Sequence, residues 1–182
     1  MTRKICVLAL ALASISTASA QASDPTAHSG GAAFDGTPTA AAKPTVPGKK
    51  GKIKNGLAYA PSLAPAAVKR VIWAANKIRH KPYIYGGGHQ SFIARGYDCS
   101  GTVSYALHGA KFIRTPLDSS SFMDWELAGR GKWITVYTNP GHAWMKIAGL
   151  RLDTSGPGQS GPRWRTVQRS GAGFQARHPL GY

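Results

Sequence analysis

Apolar residues recur at three- and four-residue steps through APAAVKRVIWAANKIRH, where Val68, Val71, Ile72, Ala75 and Ile78 would share one face of a helix whose first turn holds Pro65. A second such face, Cys99, Val103, Ala106, Leu107 and Ala110, begins at the end of GYDC. That helix should start at Cys99 or one residue earlier, with Asp98 or Ser100 suited to its first exposed amides. Farther on the period changes to two. KWITVYT, the turn NPG and HAWMKIAGLRLDTS read as three short antiparallel strands. With Ala148-Gly149 as the turn, Ile147 pairs with Leu150 and Trp144 faces Asp153, so His142 and Asp153 become diagonal neighbours on one sheet face. Thr154 then points to the other face, and a slip of one residue would exchange the two. The tail from Gly156 carries turn residues and room for one more strand. Helices followed by strands give an α+β fold class, with N-terminal helices packed on a small antiparallel sheet.

Residues 65–182, 118 in number, are enough for one domain with its own core. The stretch before them differs. Residues 21–64 are dominated by Ala, Gly, Pro, Ser, Thr and Lys, including GKKGKIK at 48–54, and show neither period, which reads as a flexible basic linker. Residues 1–20 have the form of a secretory signal peptide: Arg3 and Lys4, the apolar run ICVLALALASI, then ASA. The run is too short to span a bilayer, so an exported protein without a transmembrane segment is expected. Loss of residues 1–20 would lower the net charge from +16 to +14. An exported chain of that charge is expected to meet anionic wall polymers, anionic lipid headgroups or acidic glycans rather than nucleic acid, and charge alone does not choose among them.

Export also changes the meaning of the cysteines. Cys6 falls in the signal segment, leaving Cys99 alone and unable to form an internal disulfide. A free cysteine can be a small buried hydrophobe, but a thiol at a helix N-terminus is also placed where amides and the backbone dipole favour a thiolate. The same amides could hold an oxyanion. Among the six histidines, His28 lies in the linker, His80 and His108 fall near helix ends and His89 sits in a glycine-rich loop. His142 opens a strand directly after NPG and is the candidate base. Asp153 would orient it, with His178 in ARHP as the alternative third partner; pairing with Arg151 is the competing role for Asp153. Trp164 in GPRWR could line a groove. No histidine or carboxylate spacing suggests a metal ligand set, and no cofactor motif is present.

Taken together, KPYIYGGG, GYDCSG and GHAWMKIAGLRLDTS resemble the NlpC-type cell-wall peptidases, a papain-like cysteine peptidase family, over residues 65 to about 155. The resemblance implies Cys99 as nucleophile, His142 as base, Tyr83 contributing its hydroxyl beside the cysteine, and Asp98 and Ser100 supporting the geometry. The family's third position, a polar residue on the strand after the histidine, falls at Asp153 or Thr154, where many members carry histidine. What the family implies is hydrolysis of peptide bonds in peptidoglycan stems, often between D-glutamate and a diamino acid; for this chain no cofactor is expected, and a monomer is. Two other functions are compatible with these residues: a non-catalytic wall- or polyanion-binding protein on the same fold, and an acyltransferase or amidase using the same dyad.

Overall fold

The computed structural model describes residues 42–158 and 160–182; the expected signal segment and residues 21–41 of the expected linker lie outside the described residues. In chain order come β1 (Thr45–Val46), β2 (Lys52–Lys54), β3 (Leu57–Pro61), α1 (Ala66–Ile78), α2 (Cys99–His108), a 3-10 turn over Ser121–Asp124, β4 (Leu127–Ala128), β5 (Ile134–Asn139), β6 (His142–Ile147), β7 (Leu150–Asp153), β8 (Arg163–Arg165) and β9 (Gln175–His178). The described residues thus form a mixed α+β fold with two α-helices and two sheets.

Both helices lie where the apolar period places them. Val68, Val71, Ile72, Ala75 and Ile78 are all buried on α1, although Pro65 precedes the helix as its cap instead of entering the first turn. On α2 the Asp98 side chain accepts the Gly101 N–H at 2.8 Å, satisfying one of the amides that any helix start leaves open. The first turn of α2 presses on the glycine-rich loop before it. A Cβ on Gly101 would stand 2.0 Å from the Gly87 carbonyl oxygen, so only glycine permits the contact.

The larger sheet is antiparallel, in the order β4-β9-β5-β6-β7-β8. Its centre has the register that side-chain parity requires: Ile147 pairs with Leu150 and Met145 with Leu152. Ala148 (φ 49°) and Gly149 (φ 86°) both take the left-handed conformation, as a two-residue hairpin turn demands. Alternation sends Met145, Ile147, Leu150 and Leu152 into one apolar core with Val103 and Leu107 of α2. Trp144, Arg151 and Asp153 fall on the opposite face. The tail supplies both β8 and β9, and β9 inserts between β4 and β5, so it completes the sheet rather than trailing from it.

Residues 45–61 correct the expectation of a flexible linker up to residue 64. They build the second sheet, in the order β1-β3-β2, with Asn55 (φ 49°) and Gly56 (φ 72°) forming the tight β2–β3 turn. Ala58 and Ala60 are fully buried, their small side chains joining the α1 core. Asn76 of α1 ties this sheet down: its Oδ1 accepts the Ala58 N–H at 3.0 Å, and its Nδ2 donates to the Ala58 carbonyl at 2.8 Å. The same Oδ1 accepts the Trp164 indole N–H at 2.8 Å. Trp164 is therefore a buried residue of β8, and it also borders a small hollow with Arg151, Pro157 and Val167. Asn76→Ala would leave three buried polar groups unpaired, each worth about 1–3 kcal/mol. A loss of roughly 3 kcal/mol or more is expected in urea unfolding; a loss below about 0.5 kcal/mol would mean that the first sheet is not held through Asn76. Among the described residues, no helix is long and apolar enough to cross a membrane.

Candidate active site

The free thiol sits at the first residue of α2 and is 9% exposed. Two groups from β6 stand close enough to act on its sulfur, the His142 ring and the backbone N–H of Ala143, and both favour its charged form. His142 comes to this position because Pro140 and Gly141 turn the chain immediately before β6, so the imidazole leaves the sheet at its end. Its Nε2 faces Asp153 Oδ1 at 2.9 Å, which leaves Nδ1 for the sulfur. Asp153 closes β7 and is 1% exposed. Its carboxylate also accepts the Ser155 N–H at 2.9 Å, Arg151 Nε at 3.0 Å and Arg169 Nη1 at 3.1 Å. His142 thus stands between Asp153, which it meets by a hydrogen bond, and Cys99, whose sulfur it acts on. Thr154, on the other face, has a buried hydroxyl without a partner among the described residues.

Charge follows from these contacts. Burial pushes the Cys99 thiol up, and nearby Asp98 adds to that, but the His142 hydrogen bond, the Ala143 amide and the imidazolium charge outweigh both and hold it below the usual thiol range. Burial likewise opposes a charged His142, yet the Asp153 and Cys99 hydrogen bonds and charges raise it to about 9. For Asp153, burial is overcome by His142, the Ser155 amide and Arg151, which bring it down to about 2. The three groups thus favour a charged line, with Asp153 as carboxylate, His142 as imidazolium and Cys99 shifted toward thiolate.

Tyr83 stands at the mouth of the site, 40% exposed, and borders the cleft that contains Cys99. Its phenol is raised above its ordinary value by burial and then by the negative charges of Cys99 and Asp98, so it remains a hydroxyl that can donate. The cleft has a volume of about 430 Å³ and runs past Tyr85, His89, Asp118 and Ser119. Across His142 a further hollow of about 370 Å³ is lined by Thr154, Ser155 and Ser160. Tyr83 borders both hollows, one on the side of Cys99 and one on the side of His142.

Asp98 and Ser100 meet at a residue that the sequence pattern left in a loop. His89 Nε2 lies 3.0 Å from Asp98 Oδ1 and 3.0 Å from Ser100 Oγ, while Gly86 N–H donates to Asp98 Oδ2 at 3.0 Å. These bonds clamp the Gly86–Gly88 loop onto the start of α2, directly beside Cys99. His178, the alternative third partner, is elsewhere: it pairs with Leu127, and its Nδ1 faces the Gly129 carbonyl at 3.1 Å. By register it lies level with Thr135, four residues along β5 from the partner of His142, or roughly 13 Å away at strand spacing. Arg151 does pair with Asp153, but alongside His142 rather than in its place. Arg169 was not legible as a partner, since only the return of the tail brings it to Asp153.

Among the described residues, no group of three or more His, Cys, Asp or Glu is placed to hold a metal ion. No protein-family model matches this chain, and neither does any curated protein.

Proposed function

We propose that this protein is an exported cysteine peptidase of the papain-like NlpC type, hydrolysing peptide bonds in peptidoglycan stem peptides. The observation that carries the reading is the Cys99–His142–Asp153 chain, with the sulfur at a helix start and the histidine buttressed by a buried carboxylate. A buried structural thiol needs neither an imidazole nor an amide on its sulfur. The KPYIYGGG and GYDCSG motifs supply the cell-wall direction.

In this mechanism the Cys99 thiolate attacks the scissile carbonyl carbon, and the oxyanion is held by the Cys99 backbone N–H and the Tyr83 hydroxyl. The imidazolium of His142 gives its proton to the departing amine as the C–N bond breaks, leaving a thioester. Neutral His142 then takes a proton from water, which attacks the thioester; the acid product leaves and the thiolate–imidazolium pair is restored. Asp153 keeps Nδ1 of the ring aimed at sulfur throughout.

The test is product analysis. The chain lacking residues 1–20 is incubated with purified peptidoglycan, and released fragments are identified by mass spectrometry. Wild type should release stem peptides with a new amine terminus, at the D-glutamyl–diamino acid bond on the family's pattern, and Cys99→Ala should release none. Identical fragments from both would sink the hydrolase reading and leave a non-catalytic wall-binding protein. Transfer of the acyl group to an added amine, in preference to water, would turn it into an acyltransferase.

A further inference from the structure

The positive charge of this chain is segregated. Residues 43–81 carry ten of its 23 Lys and Arg and none of its seven Asp and Glu, and eight of the ten are lysines. The first sheet and α1 gather them. Lys52 and Lys54 point to solvent on β2, opposite Tyr59 and Leu57 of β3, and Ile53 turns inward to the core. Lys69, Trp73 and Lys77 follow each other at four-residue steps on α1 and so form one stripe. Where stripe and sheet meet there is an open groove of about 380 Å³, lined by Lys43, Leu57, Trp73, Lys77 and Arg79. Lys43 Nζ lies 4.8 Å above the Trp73 ring, and Arg79 Nε is buried without a hydrogen-bond partner among the described residues.

We infer that this groove and the lysines around it bind a linear anionic wall polymer, a flexible polyol or sugar chain with phosphate or carboxylate groups at intervals. The inference rests on the exported, wall-directed reading above and gives that protein a second site, separate from Cys99. Field lines from one-signed charge over a low-dielectric groove concentrate an anionic chain there. A groove with a single tryptophan suits one sugar or polyol unit at a time. Nucleic acid fits less well: the face has no row of exposed aromatics for base stacking, and lysine point charges predominate over the arginine forks that read phosphate pairs. A lipid surface fits less well too, because Leu63 is the one large hydrophobic residue of the segment that stands exposed.

The groove also leads toward the catalytic cleft. Arg79 lies four residues before Tyr83, and its carbonyl accepts Arg163 Nη1 of β8 at 2.9 Å. Arg163 in turn lines a hollow with His80, Pro82 and Tyr83 at the edge of the site. A polymer held in the groove would keep the stem peptides of its own wall segment near Cys99.

Binding of poly(glycerol phosphate) is measured by calorimetry on the chain lacking residues 1–20, over a series of salt concentrations. Three variants are compared with wild type: Lys43→Gln/Lys52→Gln/Lys54→Gln/Lys77→Gln, a control with the same charge removed as Lys111→Gln/Arg130→Gln/Lys132→Gln/Lys146→Gln, and Cys99→Ala. The face variant should bind at least tenfold more weakly and with a shallower salt dependence. The control should lose less than threefold, and Cys99→Ala should bind like wild type, with thermal midpoints confirming that all remain folded. Equal losses in the two four-charge variants would overturn the proposal, since net charge alone would then explain binding. Single-stranded DNA or anionic vesicles binding as tightly, with the same sensitivity to the face variant, would overturn the class of partner. Hydrolysis of a small soluble stem peptide is read in parallel and should be unchanged in the face variant. If no variant or wild type cleaves the peptide while the polymer still binds through the face, the hydrolase reading fails and this one stands.

Discussion

His142→Ala is expected to silence the thiol and the turnover together, by different amounts at different pH. In wild type the thiolate forms as pH rises through the lowered Cys99 value, and the imidazolium persists until pH passes about 9. Alkylation of Cys99 should therefore reach its plateau at a lower pH than that of an ordinary thiol. It should not fall above pH 9, where the thiolate remains. Turnover should fall there, because the proton for the leaving amine is gone. Removing the imidazole takes away the second-largest influence on the sulfur and its only positive charge, leaving burial and Asp98 to push the thiol up against the Ala143 amide alone. The Cys99 thiol should then shift upward, and alkylation on the acid side of its profile should slow relative to wild type. Peptide turnover, which also needs the general acid, should drop on the order of 10³-fold or more. Iodoacetamide kinetics from pH 4 to 10, with kcat/KM over the same range, separate the two losses. An unchanged alkylation profile in the variant would show that the sulfur is activated by the helix start alone.

Much of this arrangement could be read along the chain, because it depends on short-range periodicity. Parity across a two-residue turn puts His142 and Asp153 on one face and sends Thr154 to the other, and the β6–β7 pairing follows it residue for residue. The helix start at Cys99 follows from a capping aspartate before an apolar stripe. What failed is equally specific. β2 and β3 were hidden because their inward residues are Ile53, Ala58 and Ala60, too small and too few to look like strands. The Asn55-Gly56 pair between them is the strongest local hairpin signal in the chain, and weighing it would have moved the ordered boundary ahead of residue 64. His89 and Arg169 could not be found this way, since they reach Asp98 and Asp153 through loop and tail paths that no period encodes. Trp164 sits among glycines and prolines, where no period shows what it packs against. Its burial depends on Asn76, 88 residues away, offering an acceptor for the indole.

Asp153→Asn should cost more than its small change in shape suggests, because the carboxylate serves two sets of partners. Toward the site, it holds His142 in the tautomer that aims Nδ1 at sulfur and raises the ring to about 9. Toward the sheet, it is the counter-ion of Arg151, itself 5% exposed, and of Arg169. An amide keeps one acceptor but turns an N–H toward either the imidazole or the guanidinium. Turnover is therefore expected to fall on the order of 10²- to 10⁴-fold, the range for losing the orienting carboxylate of such a triad. The alkaline limb of kcat/KM should move down from about 9 toward the ordinary histidine range, since Asp153, the first of the two groups that favour the charged ring, is gone and only Cys99 remains. Stability should fall as well. The native carboxylate is depressed to about 2, so its contribution is present above the unfolded aspartate value and is lost as pH falls through 2. In the variant that contribution is missing across the neutral range, and a buried guanidinium left without its counter-ion costs about 3–5 kcal/mol. Because lost folding could imitate lost catalysis, the pH limb is the deciding measurement, taken on whatever fraction is folded. Thr154→Ala provides the contrast: its hydroxyl has no partner to lose, so both the limb and the urea midpoint should stay close to wild type. If instead Thr154→Ala shifts the limb and Asp153→Asn does not, the carboxylate serves only the arginines and His142 takes its orientation from the other face of the sheet.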